Sequence, residues 1–182
     1  MKQLSLALSL LLFSFVGVSQ KYKPADAGSK VHFIVKNFGI PTGGDLSGLT
    51  GDINFVPANS KACSFTVSVK VNTIDTDNGS RDKDLKGKKY FDADSWPVIT
   101  IQSTRIDRTN KSGTGWYYFT GTLTLHGITK PIAFPFQAKE QGKDFLFVGG
   151  FDINRLDYTV GSSSAVLSNN VKVSLSVLAR KS

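Results

Sequence analysis

One cysteine, two histidines and one methionine in 182 residues leave little material for several kinds of chemistry. Cys63 has no second thiol to pair with, so no disulfide framework can hold this chain. Two histidines and one thiol are also too few for the usual multi-ligand site for zinc or another borderline metal, and no metal site is expected. No Walker loop, dinucleotide fingerprint, His-Glu-x-x-His or Cys-x-x-Cys occurs. A Gly-x-Ser-x-Gly nucleophile elbow is missing too, and Ser163 sits instead in a serine-rich turn. Asp75, Asp82 and Asp92 could each be paired with almost any other aspartate, which makes a carboxylate pair uninformative. No catalytic residue is assigned, and a non-enzyme is expected.

Apolar runs are short with one exception. Met1-Lys2 precedes an apolar stretch from Leu4 to Val16, followed by Gly17-Val18-Ser19-Gln20, the anatomy of a secretory signal peptide. Small residues at Gly17 and Ser19 put the cut after Ser19, with Gln20 the second choice. The competing reading is a signal anchor or a buried N-terminal helix. Residues 1–19 are therefore expected to be a signal peptide and residues 20–182 one barrel domain, periplasmic or secreted. No later stretch reaches about 18 apolar residues, so no stable membrane insertion is expected.

What is present is ordinary globular material: 40% hydrophobic and 20% charged residues, with 17 glycines and 13 phenylalanines. Lys2 is the sole charge among the first 20 residues, so 21 cationic and 14 acidic side chains remain, a net of +7. Such a balance permits attraction to anionic lipid surfaces or phosphates. Nucleic acid is not expected as a partner, because the charge gathers at residues 81–89 and is not interleaved with aromatics along a stripe.

Strict alternation dominates the rest. Val31, Phe33 and Val35 share a face, as do Leu49 to Phe55, Phe65 to Val71, Ile99 to Ser103, Tyr117 to Leu125, Ile132 to Phe136, Phe145 to Ile153 and Val171 to Ala179, each taken at every second residue. Period two over so many segments predicts eight antiparallel strands. Turns are expected at Gly39 to Gly44, Pro57 to Ser60, Asn110 to Gly113, His126-Gly127 and Gln141 to Lys143. The long connection from Asn72 to Pro97 carries one short helix, with Ser80 as the expected cap, Asp82 and Asp84 in its first turn and Gly87 as its stop. The fold class is all-β: a single eight-stranded antiparallel barrel with that helical excursion. A barrel of this size holds either its own side chains or one small ligand. Phenylalanines mixed with Gly51, Gly121 and Gly149 fit both a filled core and a vacant one.

Several blocks carry a resemblance. Ser29-x-Val31-x-Phe33-x-Val35-Lys36-Asn37-Phe38-Gly39 and Gly48-x-x-Gly51-x-Ile53-x-Phe55 resemble the opening of the YceI-like family of secreted polyisoprenoid-binding proteins. So do Ile74-Asp75-Thr76 with Arg81-Asp82-x-x-Leu85, Tyr90-Phe91-Asp92, Trp96-Pro97-x-Ile99, Gly121 to Pro131 and Ile153 to Gly161, in that order. The resemblance implies a lipocalin-like barrel whose long hydrophobic pocket takes an isoprenoid chain, with a polar head near the mouth. On that reading the pocket wall falls to Phe33, Val35, Phe38, Phe55, Phe65, Val67, Val69, Ile101, Phe119, Leu123, Phe134, Phe136, Phe147 and Phe151. Arg81, Lys86, Lys88 and Lys89 become a cationic rim, with a solvated loop as the alternative. Lys83, Asp84 and the Lys36-Asn37 pair depart from the common family pattern, so no head-group contact is carried over there.

The function expected is binding and transport or sequestration of an isoprenoid lipid, either a polyprenyl phosphate or an isoprenoid quinone, with no cofactor besides that ligand. A homodimer is a candidate assembly. The alternative is a filled structural or stress-response barrel whose basic surface binds a protein or envelope component. Asn154, Arg155 and Asp157 read as a turn with a buried ion pair, His32 as outward-facing, His126 as bonded to backbone, and Cys63 as buried and inert.

Overall fold

The computed structural model describes residues 20–109 and 113–182. The expected signal peptide and the first residues of the Asn110 to Gly113 turn lie outside them. Alternation becomes strand at every expected segment: β1 (Lys21–Asn37), β3 (Thr50–Asn54), β4 (Ser64–Lys70), β5 (Val98–Arg108), β6 (Trp116–Leu125), β7 (Ile128–Gln141), β8 (Asp144–Asn154) and β9 (Leu167–Lys181). These eight pair antiparallel in a ring. The sheet runs β3-β4-β5-β6-β7-β8-β9, and β1 closes it by pairing with both β9 and β3. The observed architecture is the expected closed antiparallel barrel.

A ninth strand, β2 (Ile40–Leu46), stands where the sequence predicts the Gly39 to Gly44 turn. It folds back on the upper half of β1, from Asn37↔Ile40 to Val31↔Leu46. Pro41, Gly43 and Gly44 disguise it, yet an edge strand tolerates proline and glycine because only one side of its ladder is paired. Only Phe38-Gly39 remains as turn. Asp45 of β2 also bridges to Asp75, which ties the hairpin to the long connection.

That connection holds helix α1 (Gly79–Lys86). Its cap is Asn78, whose side chain accepts from the Arg81 amide, and not Ser80 as expected; Gly87 ends it. Asn and Ser are both good caps, and the one with extended backbone at the helix entry takes the role. The strand glycines Gly51, Gly121 and Gly149 all mark crowding. A Cβ at Gly51 would collide with the Thr66 carbonyl, and one at Gly121 with the Gln102 carbonyl. They permit the close strand approach of a tightly coiled barrel. His32, expected to face outward, is only partly exposed and lies along the wall of the barrel's cavity with its β1 neighbours, its Nδ1 2.6 Å from Asp45 Oδ1.

Candidate functional site

The barrel interior divides into a filled half and an open half. Phe55 stands at the centre of the filled half with 0% exposure. Its ring makes edge contacts with Tyr117, Phe145 and Phe147 at centroid distances of 5.0–5.1 Å. Above it, Phe65 meets Phe147 edge-on at 5.1 Å, and Phe119 stacks on Phe134 at 4.9 Å with 19° between planes. Such tilted and offset pairs add to simple area burial and fix each ring's direction. This aromatic layer is a rigid floor.

Beyond the floor opens a cavity of about 780 Å³. That volume lies in the upper part of the range of roughly 300–1,000 Å³ typical of small-molecule sites. Its wall is aliphatic at Val171, Val173 and Leu175 of β9 and at Val67 and Val69 of β4, and aromatic toward the floor. Gly149 lies in the wall, where a Cβ would come within 2.9 Å of the Phe136 side chain, so its missing side chain lets Phe136 pack close against the strand. A filled-core barrel accounts for the lower half only.

The mouth is a collar of three segments joined by hydrogen bonds. The Asp45 and Asp75 backbones bond reciprocally, linking β2 to the approach to α1. The Gly161 amide donates to the Lys89 carbonyl, and the Phe38 amide to the Val166 carbonyl. Within the helix segment, Asp82 Oδ1 accepts the Thr76 amide at 2.9 Å and the Thr76 hydroxyl at 2.5 Å. Arg81 donates from Nε and Nη2 to the Thr76 hydroxyl and carbonyl. Both charged groups thus tie the helix to Thr76, which lines the cavity.

Arg155 corrects an expectation. It is buried, 4% exposed, and donates to the carbonyls of Val160, Ser162, Leu167 and Ser168 and to Asn169 Oδ1. No carboxylate pairs with it among the described residues, so there is no buried ion pair with Asp157. Five acceptors arranged around its planar fork satisfy the guanidinium instead, which shapes the 158–169 segment of the collar. His126 Nδ1 lies 3.2 Å from the Tyr158 carbonyl and 2.9 Å from Thr159 Oγ1, the backbone contact expected plus a hydroxyl.

Every residue expected in the pocket wall lines this cavity except Phe38 and Phe55. Phe38 is 73% exposed at the tip of the β1–β2 hairpin, because the chain reverses there and alternation stops. Phe55 points inward as expected but lies below the floor. Of the expected rim, Arg81 and Lys89 reach the lining and Lys86 and Lys88 do not. The Lys89 ammonium also lies 5.6 Å from the Tyr90 ring centre. The rim is less cationic than the sequence suggested: Asp84 lines the mouth beside neutral Thr42, Thr76, Asn78 and Ser80.

Sequence reasoning missed the collar residues Tyr90, Phe91, Val160 and Val166, which belong to irregular segments without a face to read, and Leu85, the sole large apolar residue of the short helix α1. It also left out Val171, Val173 and Leu175, whose parity on the last strand was the available signal. Cys63 is buried outside the cavity, and burial raises its thiol above the usual range while the Val56 backbone pulls weakly the other way. Among the described residues no three His, Cys, Asp or Glu side chains gather as a metal site, and no helix is long and apolar enough to cross a membrane.

Comparison with known proteins agrees with this architecture. The chain is 29% identical over 184 residues to a UPF0312 protein of Yersinia pestis, covering 96% of this chain and 94% of the relative. A UPF0312 protein of Yersinia enterocolitica is 28% identical over the same span. Among solved structures, Burkholderia cenocepacia BcnA superimposes with a TM-score of 0.79 at 24% identity, over 85% of this chain and 98% of that one. A polyisoprenoid-binding domain from Saccharophagus degradans gives 0.71 at 14% identity, over 88% and 98%. The YceI-like domain pattern matches residues 22–179, nearly the whole barrel, and the chain belongs to the YceI-like family.

Proposed function

We propose that the mature chain is a non-catalytic carrier that binds a long-chain isoprenoid lipid in the cavity and transports or sequesters it outside the cytoplasm, after removal of residues 1–19. The observation that carries this reading is an apolar cavity of about 780 Å³ standing open above a packed aromatic floor. The polyisoprenoid-binding neighbour from Saccharophagus degradans supports the ligand class. Energetics fit a chain. At about 0.8 kcal/mol per buried CH₂, each five-carbon unit contributes roughly 4 kcal/mol before losses. A few units then approach the affinity ceiling near about 20 kcal/mol, so the floor and not the affinity sets chain length.

The polar head belongs at the collar. Arg81 and Lys89 outnumber Asp84 among the exposed or half-buried charges of the lining, which favours a polyprenyl phosphate over an isoprenoid quinone. A binding role is further supported by how the collar's ionisable groups are engaged: Arg81 and Asp82 with Thr76, Arg155 with its carbonyls.

The test is native extraction. The mature protein is purified from its own envelope, denatured in organic solvent, and its bound small molecules identified by mass spectrometry. A stoichiometric isoprenoid is expected. An empty protein that also fails to take up geranylgeranyl diphosphate or an isoprenoid quinone in vitro would sink the reading.

A further inference from the structure

The β1–β2 hairpin ends in a two-residue turn, Phe38-Gly39, with φ of 51° and 76°. A turn with both central residues at positive φ is the type for which Asn-Gly is strongly preferred, since asparagine and glycine adopt that conformation at little cost and a bulky side chain is disfavoured there. Phe38 nevertheless occupies the first position, and its side chain is 73% exposed. Ile40 beside it is 67% exposed, and Val166, bonded through its carbonyl to the Phe38 amide, is 38% exposed. The fold gains little burial from Phe38 and holds it in a disfavoured backbone conformation. A residue retained against local preference in this way points to something outside the chain.

The surroundings narrow what that is. Residues 33–44 carry Lys36 as their only formal charge, and residues 158–171 none. Asp157, Asp45 and the exposed Lys172, opposite Ile34 on β9, stand at the edges, and Asp45 is engaged by His32 and Lys30. The tip is therefore a small apolar point with one exposed cation, on a chain of net positive charge. Three large side chains cannot supply the roughly 1,000 Å² of a stable protein interface. A two-fold contact with a second copy would also bring two Lys36 ammonium groups together. An anionic bilayer interface accepts both features, as aromatic and aliphatic side chains enter the headgroup boundary while lysine stays at its surface. The tip is also continuous with the cavity, because Val35, Asn37 and Val166 line the mouth.

We infer that the Phe38–Ile40 hairpin tip, with Val166 and Lys36, docks on an anionic lipid surface and brings the cavity mouth against it. The purpose of this contact rests on the lipid-carrier reading; its test does not. The mature protein is floated with vesicles of phosphatidylethanolamine and phosphatidylglycerol, and with neutral phosphatidylcholine vesicles for comparison. Binding to the anionic vesicles is expected. Phe38→Asn with Ile40→Thr is expected to weaken it by at least about tenfold, since affinity follows buried apolar area plus charge. That variant restores the preferred Asn-Gly turn, so its melting temperature stays level or rises. Lys36→Glu, a fully exposed change, should reduce binding to anionic vesicles and leave the neutral ones unaffected.

Equal flotation of wild type and double variant, or none by wild type, would overturn the inference. A wild-type dimer that the double variant splits, without vesicle binding, would assign the tip to self-association and overturn it equally. Loading with geranylgeranyl diphosphate in vesicle-free buffer is measured in parallel. Its absence from both proteins counts against the carrier reading alone, and its presence in both leaves the vesicle result to decide the docking.

Discussion

Asp82 accepts two hydrogen bonds from one residue, Thr76, taking both its amide and its hydroxyl on a single carboxylate oxygen. The two lie six positions apart, on either side of the α1 cap. Thr76 is buried and lines the cavity, so this pair joins the helix to the site it covers.

Removing the carboxylate strands two donors that water does not readily reach. Asp82→Ala should destabilise the barrel by about 1.5–3 kcal/mol, the range for bonds to a charged group, while Asp82→Asn keeps an acceptor and loses less. Urea denaturation of the three proteins checks the order. An Asp82→Ala midpoint equal to wild type would show that the clamp contributes nothing.

Val173 faces the open half of the barrel and not its floor. Val173→Phe should fill part of the cavity and abolish uptake of geranylgeranyl diphosphate in a calorimetric titration. Since the added atoms enter unoccupied space, stability should hold or rise by up to about 1 kcal/mol. Undiminished uptake would move the binding site out of the cavity.

Lys89 separates a charged head from a neutral one. Lys89→Gln should weaken binding of a prenyl diphosphate by roughly two- to fivefold, the modest effect of an exposed ion pair, and leave an isoprenoid quinone unchanged. Raised salt should shrink the difference. Equal losses for both ligands would point to lost packing along the lysine stem.

Arg155 depends on shape as much as on charge. Arg155→Lys keeps the charge but cannot reach five acceptors, and two lost charge-assisted bonds at roughly 1.5–3 kcal/mol each predict a loss of about 3 kcal/mol or more. Thermal unfolding measures it. A lysine variant as stable as wild type would mean that the carbonyl cage is held by the backbone alone.

Alkaline pH should loosen the fold. Burial raises the Cys63 thiol and the Tyr22, Tyr117 and Tyr158 phenols, so the folded chain keeps protons that the unfolded chain releases. Their stabilisation is complete below the ordinary values of about 8.5 and about 10, and is lost as pH climbs from there through the raised folded values. The melting temperature should therefore be level near neutrality and fall above the thiol range. A flat profile to strongly alkaline pH would contradict this.

The strands were legible because alternation reports which face a residue occupies. It does not report height along the barrel axis, which is why Phe65 and Phe55 look equivalent in sequence while one lines the cavity and the other lies beneath it. Parity stops at a reversal, and Phe38 was misplaced for that reason. β2 escaped notice because Pro41, Gly43 and Gly44 carry the composition of a turn. Arg155 beside Asp157 suggested a local ion pair, whereas its acceptors are mostly carbonyls, which every residue possesses and no sequence pattern marks.

The ring closes between β1 and β9, which pair from Tyr22↔Lys181 to Asn37↔Leu167. These partners lie at opposite ends of the described chain, so their contact carries nearly the largest loop-closure entropy the sequence allows. Chains dominated by such distant pairings fold slowly, and here the hairpins from β3 to β8 can assemble first while both flanking edges wait unpaired. The cavity comes into being only when that seam joins. A lipid that favours the closed barrel would then act as a ligand for the final step of folding, holding the seam shut by mass action.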